Sequence, residues 1–588
     1  MKLLPSLLVF GLLGLSCLAA APRPNVILIV TDDQGFAELG VTGNPVIHTP
    51  NIDRFAGQSV SLTNFHVMPV CSPTRACLMT GRYNYRTGVI DTYLGRSMMD
   101  PNETTLAEML AAGGYRTGIF GKWHLGDNYP MRAMDKGFQE TLVLNGGGLA
   151  QPGDAPDPVD EQGAYFNATL RHNGQWIKTK GYVSDVITDA AMQFIDRSKD
   201  KPFFVYLPFN CPHAPHQVPD SYRQHYPLSV FTPDHFPPGA HPMAAKNDPD
   251  DLSRIYGMIE NIDDNVGRLL AKLEALHLAE NTLVILISDN GAQQSNGYNG
   301  GYQGWKGTPF EGGIHQFCFL RLPSTLTAGR KVDRITAHID LAPTILDLCT
   351  VSAPSHVHFD GKSLVPLLRG ENGSWPERTL FFQWHRGDVP DRYRVFAART
   401  QDWKLVQPLG VPGEHGWNGK TSFKLYDMAH DPFETHDLAQ EKPEIVERLK
   451  LAYSQWFDDV TSLRNYTEPP RIFLGTPNEN PVLLTRQDWR GPDASWGPKG
   501  VGYWEIQNVG ATGSLYDVTL RFEPQSRSTE ANLDCGDLAL RLSVPGGAAE
   551  CTFHNVPLPK GARRLAPVLR DGPQVLGVQY VEVTQQTK

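Results

Sequence analysis

Asp32 and Asp33 stand side by side, and far along the chain Asp289 and Asn290 again set two oxygen-bearing side chains together. Four such groups form the ligand set of a hard cation such as Ca²⁺ or Mg²⁺ rather than Zn²⁺, which more often takes Cys or His. Adjacent carboxylates raise one another's pKa unless a cation neutralises them. Facing them in the reading are Arg75, Lys122, His124, His213 and Lys306, an unusual number of positive or potentially positive groups. A divalent cation combined with Arg and Lys suits a tetrahedral oxyanion, sulfate or phosphate, and the stabilisation of its transferring group. Residue types alone carry the chemistry no further.

The elements that must position these side chains are legible behind them. Residues 25–31 hold the unbroken apolar run Val26-Ile27-Leu28-Ile29-Val30, as in a strand buried on both faces. Residues 105–112 read as a short helix stopped at Gly113-Gly114, with a strand at 116–120 behind it. Val183, Val186, Ile187, Ala190 and Phe194 recur at helical spacing before a strand at 203–207. Ile255, Ile259, Ile262, Val266, Leu269, Leu273 and Leu276 predict a longer amphipathic helix that leads into a strand at 282–287. Strand and helix in alternation predict an α/β fold, a mostly parallel sheet flanked by helices. Asp32 and Asp33 follow the first strand, Lys122 and His124 the second, His213 the third, Asp289 and Asn290 the fourth. Any one of them reads equally well as a polar loop residue. Together they should meet at the C-terminal edge of the sheet, where open α/β sheets bind ligands.

The segment Cys71-Ser72-Pro73-Thr74-Arg75, with Thr80-Gly81-Arg82 after it, resembles the signature of the type I, formylglycine-dependent sulfatases, arylsulfatase-like members of the alkaline-phosphatase superfamily. Other segments are similar to the same family in the same order: Thr31-Asp32-Asp33-Gln34, Thr49-Pro50-Asn51-Ile52-Asp53, Gly121-Lys122-Trp123-His124-Leu125-Gly126, Pro212-His213-Ala214-Pro215 and Ser288-Asp289-Asn290-Gly291. Lys306 ahead of Glu311-Gly312-Gly313, and Leu425-Tyr426-Asp427 with Asp431-Pro432, continue the series. The resemblance runs over about residues 22–465. His315 is a departure, since many relatives carry Arg after the Glu-Gly-Gly-x turn; it bears on local packing.

The resemblance implies that a formylglycine-generating or sulfatase-maturating enzyme oxidises Cys71 to formylglycine, whose hydrate attacks sulfur. It further implies a metal site of Asp32, Asp33, the converted Cys71, Asp289 and Asn290, with Ca²⁺ expected ahead of Mg²⁺. Arg75, Lys122 and Lys306 would hold the sulfate oxygens, His213 with Lys306 would protonate the departing alcohol, and His124 would take the proton that releases sulfate. Two readings stand beside this one: a phosphomonoester or phosphonate-ester hydrolase of the same superfamily, and a glycan-binding protein whose Cys71 is never converted.

The chain has 588 residues, with 53 Lys and Arg against 63 Asp and Glu, a formal net charge of -10 that argues against nucleic acid or an anionic membrane as the main partner. Residues 1–21 read as a secretory signal, with Lys2, the apolar run from Leu7 to Leu15 and Ala19-Ala20-Ala21, which implies a secreted or periplasmic protein without a transmembrane segment. A lipid anchor at Cys17 is the competing reading, but Gly14 stands where such a site expects Leu. Cys535 and Cys551 are the pair expected to form a disulfide, while Cys211, Cys318 and Cys349 read as buried small apolar residues.

The domain reading is a catalytic α/β domain at 22–375, a smaller C-terminal antiparallel sheet and helix at 376–465, a linker at 466–500 rich in Pro, Gly and Asn, and a β-rich domain at 501–588. In the last, Tyr516, Val518, Leu520 and Phe522 alternate with mostly polar residues, as in a β-sandwich that binds glycan or packs on the catalytic domain. The Gly146-Gly147-Gly148 region is long enough to shape a pocket. Export and an appended β domain favour a sulfated carbohydrate as substrate. His216 is a rim candidate, Trp123 and Trp305 are walls before they are platforms, and His48, Trp384 and His385 are candidates for the pocket mouth.

Overall fold

The computed structural model describes residues 23–155, 159–236, 239–241, 248–293, 297–371, 375–411 and 417–586. The expected signal at 1–21 and the alternative anchor at Cys17 lie outside them. No helix among the described residues is long and apolar enough to cross a membrane.

The elements that matter to the site are β1 (Asn25–Thr31), α1 (Cys71–Thr80), β2 (Arg116–Lys122), β3 (Glu140–Leu144), α2 (Val183–Ser198), β4 (Phe203–Pro208), α3 (Pro249–Ala275), β5 (Thr282–Ser288) and β6 (Cys318–Arg321). Within a ten-stranded sheet they run in the order β6-β5-β1-β4-β2-β3. β5, β1, β4, β2 and β3 are parallel, and β6 is antiparallel to β5. The expected α/β class is therefore what the chain adopts.

Period-two alternation explains why β1 is apolar throughout. Ile27 and Ile29 enter a core with Ile187, Phe194, Ile259 and Val266 from α2 and α3, while Val26, Leu28 and Val30 enter a second core with Ala76, Leu78 and Met79 of α1. Helices thus cover both faces, and only the strand ends are free to carry polar groups. The short helix Leu106–Ala112 begins on a capping box between Thr105 and Glu108 and ends at Gly113.

A four-stranded antiparallel sheet, Leu380–Gln383, Phe396–Arg399, Trp403–Gln407 and Lys424–Asp427, packs with the helix Pro443–Thr461. The remaining chain forms two sheets facing one core that includes Trp504, Leu520, Leu533 and Val583. That core also takes in Leu94, Met98 and Met131, so the sandwich is packed into the catalytic part.

Two expectations are corrected here. The stretch 466–500 is not a linker: Ile472–Leu474 and Val482–Thr485 are strands of the two sandwich sheets, and Trp489 is buried in their core. Its Pro and Gly shape turns between short strands. Nor do Cys535 and Cys551 form a disulfide; both are free thiols, because Cys535 ends a strand of one sheet while Cys551 lies in a strand of the other. Cys211, Cys318 and Cys349 are buried, as expected.

Candidate active site

The residues read from sequence converge at the C-terminal ends of β1, β2, β4 and β5 and at the first turn of α1. Past β1 the backbone stays tied down: Asp32 N–H donates to Cys211 O at 3.0 Å, and Asp289 N–H to Thr31 O at 3.1 Å. Asp33 (φ 63°) and His124 (φ 60°) both occupy the left-handed region, a strain that the surrounding packing holds in place. Cys71 opens α1 and is 2% exposed; one turn along, Arg75 is fully buried.

Cations and carboxylates interlock. Arg75 donates to Asp289 Oδ2 from Nη2 at 2.7 Å and Nε at 3.1 Å, and its Nη1 donates to Lys122 O at 3.1 Å. Lys122 Nζ lies 2.6 Å from Asp32 Oδ2, and Lys306 Nζ 2.6 Å from Asp33 Oδ1. His213 Nε2 is 3.7 Å from Asp33 Oδ2, and its Nδ1 faces Ala214 O at 2.7 Å. His124 Nε2 faces Thr92 O at 2.7 Å, which puts the ring proton on Nε2 and leaves the Nδ1 lone pair towards Cys71 Sγ at 3.5 Å.

The electrostatics follow from burial and these pairs. Burial resists ionisation of Asp33, but Lys306, His213 and Lys122 outweigh it and hold the carboxyl well below the usual range. Burial, and then the charge of Asp32, push Asp289 up to about 6 against the pull of Arg75. Burial and then Lys122 drive His124 well below its ordinary value, and burial takes His213 down to about 3 despite Asp33. For Lys306 burial works against the charge, but Asp33 prevails and the ammonium is strengthened. Burial also pushes the Cys71 thiol up.

The donor set fits a hard cation. Asp32 Oδ1 and Asn290 Oδ1 are buried acceptors without a hydrogen-bond partner, although Asn290 Nδ2 is engaged by Asp33 Oδ1 and Gly291 O. Ligand atoms of Asp32, Cys71 and Asp289 lie within 4.8 Å of one another, as do those of Asp32, Asp33 and His213. Buried acceptors left unpaired are costly unless something meets them, and oxygen atoms in this number suit Ca²⁺ or Mg²⁺.

Above Cys71 opens a cavity of about 850 Å³, lined by His124, His213, Lys306, Trp305, Trp384, Arg386 and, from the sandwich, Trp496. Gly147 forms part of its wall because a Cβ there would come within 2.6 Å of His124 Nε2. Of the secondary candidates, Trp305 and Trp384 reach the cavity. Trp123 is a buried wall, with Nε1 donating to Met131 O. His48, His216 and His385 do not line it; His216 pairs with Asp251 and His385 is buried. His315 stacks on Phe36 at 4.5 Å and meets Thr63 O, a packing role.

Sequence reasoning missed three contributors. Arg386 pairs with Asp91 at 2.9 Å and lies over the rings of Tyr93 and Trp384. Gln487 and Trp496 come from the stretch read as a linker, where the Trp content could have signalled Trp496. Gln487 Nε2 donates to Thr92 O at 2.9 Å and Ser97 Oγ at 3.0 Å, and lies 3.3 Å from His124 Nε2.

Buried oxygen donors, three fixed cations and two imidazoles around position 71 suit the hydrolysis of a tetrahedral ester. The sulfatase family model matches residues 24–351, which contain every one of these groups apart from Trp384, Arg386, Gln487 and Trp496, and the N-sulphoglucosamine sulphohydrolase C-terminal model matches 304–456. The chain belongs to the sulfatase family and is a sulfuric-ester hydrolase. It is 31% identical to human (Homo sapiens) arylsulfatase A over 480 residues, covering 74% of this chain and 87% of that protein. It is 26% identical over 557 residues to the N-acetylglucosamine-6-O-sulfatase of Bacteroides thetaiotaomicron, covering 78% and 92%. The solved structure of Ps i-CgsB in complex with k-i-k-neocarrahexaose is 27% identical, with a TM-score of 0.64 and coverage of 76% and 95%.

Proposed function

We propose that this protein is an exported sulfatase that removes sulfate from a sulfated carbohydrate through formylglycine made from Cys71, with Ca²⁺ held by Asp32, Asp33, Asp289, Asn290 and the converted residue 71. The observation that carries the reading is Cys71 itself, at the floor of the cavity with carboxylates on one side and Arg75, Lys122 and Lys306 around it. As a thiol, Cys71 is held protonated by burial and makes a weak nucleophile there. When present, Ca²⁺ supplies Lewis-acid charge neutralisation, and formylglycine supplies a nucleophilic hydroxyl with a second one for release.

The side chains divide the remaining work. Arg75 and Lys122 keep Asp289 and Asp32 oriented and bring positive charge to the sulfate oxygens. Lys306, the strengthened ammonium, faces the leaving oxygen and holds the proton it needs, and His213 Nε2 beside Asp33 relays it. His124 Nδ1, with its lone pair towards position 71, accepts the proton that lets sulfate depart. A carbohydrate substrate is supported by the open cavity with Trp305, Trp384 and Trp496 in its walls, and by relatives named for amino-sugar sulfates or solved with an oligosaccharide.

The test is mass spectrometry of the tryptic peptide holding Cys71 from native-host protein, run with assays on matched sulfate and phosphate esters. The expected peptide is lighter by the difference between a thiol-bearing CH₂ and an aldehyde, and the sulfate ester is preferred. A fully intact thiol in active protein would overturn the nucleophile, and preference for phosphate would overturn the substrate class. A maturating enzyme should be required: co-expression with one raises specific activity in a heterologous host.

A further inference from the structure

Beside the catalytic cavity lies a second one of about 390 Å³, lined by residues of 150–155 and 159–169 on one side and by the sandwich on the other, and the two cavities share Gln151 and Trp496 in their walls. The geometry points to this second cavity as a binding site for an uncharged sugar residue, so that the substrate is an oligosaccharide whose sulfated ring sits over Cys71 and whose neighbouring ring lies against Trp496. This rests on the carbohydrate reading above and goes beyond it in assigning a site and a partner domain.

Three observations carry it. First, the lining is of the kind that recognises a sugar: the ring systems of Trp496, Tyr580 and Phe166 offer apolar faces, while Gln151 offers its amide and Gln579, whose Nε2 donates to Glu523, its amide oxygen.

Second, the wall is built and held. Arg486 donates from Nη1 to Gly497 O at 2.7 Å and from Nε to Val578 O at 2.9 Å, tying the turn after Trp496 to the strand end before Tyr580. Trp496 stacks edgewise on Tyr93, with ring centroids 4.9 Å apart. The opposite wall closes on the sandwich so tightly that a Cβ on Gly153 would meet Gln487 Cβ at 2.8 Å. Such a site is ready before its ligand arrives.

Third, the charge is wrong for a second sulfate. Among the described residues the charged lining is Asp154 and Asp160 against Lys178 and Arg486, two of each sign. Arg486 is spent on carbonyl oxygens, and both carboxylates accept local donors: Asp154 from Ala150 and Ala155 N–H, Asp160 from Gln162 N–H and Asn167 Nδ2. Against the cation-rich floor of the catalytic cavity, this lining favours hydroxyl groups.

The probes are matched pairs of a monosaccharide sulfate and the disaccharide carrying the same sulfated ring, for glucosamine, galactosamine and galactose, each with a sulfated and an unsulfated neighbour. Wild-type kcat/KM should favour the disaccharide with the neutral neighbour. Trp496→Ala should cut that disaccharide-to-monosaccharide ratio about tenfold through KM, with Trp496→Phe keeping most of it and Gln579→Ala lowering it about threefold. A Trp496→Ala enzyme that loses activity equally on both members of a pair would overturn the proposal, because a merely structural role moves both alike. A wild-type enzyme that turns over the pairs without preference, or prefers the sulfated neighbour, also overturns it. Turnover of no saccharide, with an aryl sulfate still cleaved, sinks the carbohydrate reading instead.

Discussion

Two regions meet at His124, and they are built on different terms. The edge of the parallel sheet delivers charge: Asp32, Asp33, Lys122 and Asp289 follow their strands directly or end them, and each is locked in a buried ion pair. The sandwich delivers neutral groups, Gln487 and Trp496, from a loop held by backbone carbonyls and aromatic stacking. The difference teaches a division of labour. Groups that must hold an ion or an oxyanion sit where a doubly covered sheet leaves only its strand ends polar, whereas groups that orient or select can come from any surface that packs against that edge.

The comparison breaks most sharply at Cys71. If the sheet edge alone carries the chemistry, Cys71→Ala should lower kcat by roughly 10³-fold or more while circular dichroism and the melting temperature stay near wild type. Wild-type turnover in that variant would place the nucleophile elsewhere. A smaller loss is expected from Asp289→Asn, which keeps the shape but removes the charge: kcat down about 10²-fold, and less Ca²⁺ retained on dialysis by elemental analysis. The same substitution leaves Arg75 buried without its partner carboxylate, so a lower melting temperature should accompany it.

Acid sharpens the contrast, because the buried histidines belong to the catalytic side. Burial holds His338 down to about 3 and His315 to about 4, and His385 also to about 4, whereas the sandwich strands hold only the exposed His554. A histidine with a depressed folded pKa stabilises fully above its ordinary value of 6.5 and loses that contribution as pH falls towards the folded value. The stability these histidines supply should therefore decline between pH 6.5 and 4, and for His338 the loss at pH 4.5 is on the order of 2–3 kcal/mol. Glu38, raised to about 7 by burial, acts with the opposite sign over the same range, so the test is a difference. Urea unfolding of wild type and His338→Gln should show a gap that narrows from pH 7.5 to pH 4.5; a constant gap would remove His338 as a source of acid lability.

The same contrast governs what could be read in the sequence. The sheet was legible because a strand buried on both faces must be an unbroken apolar run, as at Val26 to Val30, and because polar residues can only follow it. Asp32, Lys122, His213 and Asp289 were findable on that logic, and Cys71 on its segment. The sandwich was legible as alternation in Tyr516–Arg521, but not in Ile472–Leu474 or Val482–Thr485, which are too short to show a period. Pro and Gly between them look the same in a linker and in tight turns. Gln487 had no signal at all: its role depends on Thr92, 395 residues away, and such contacts leave no local pattern. Cys535 and Cys551 misled because nearness in sequence says nothing about which sheet a strand joins.

The smallest effect is the most informative about the sandwich. His124 is fixed by donating from Nε2 to Thr92 O, and that carbonyl also accepts from Gln487 Nε2. Gln487 thus holds the acceptor that orients His124, the base of the proposed mechanism, with Ser97 Oγ as its second anchor. Removing such a support commonly costs 10- to 100-fold, and because Thr92 remains, Gln487→Ala should lower kcat only about tenfold, with KM within twofold. Gln487→Glu should do no better, since a carboxylate cannot donate to Thr92 O and would set one acceptor against another. If the Glu variant turned over at the wild-type rate, the amide donor would be irrelevant and the sandwich would act on substrate alone. If KM rose in step with the loss of kcat/KM while kcat held, Gln487 would belong with Trp496 as a group that selects rather than one that orients.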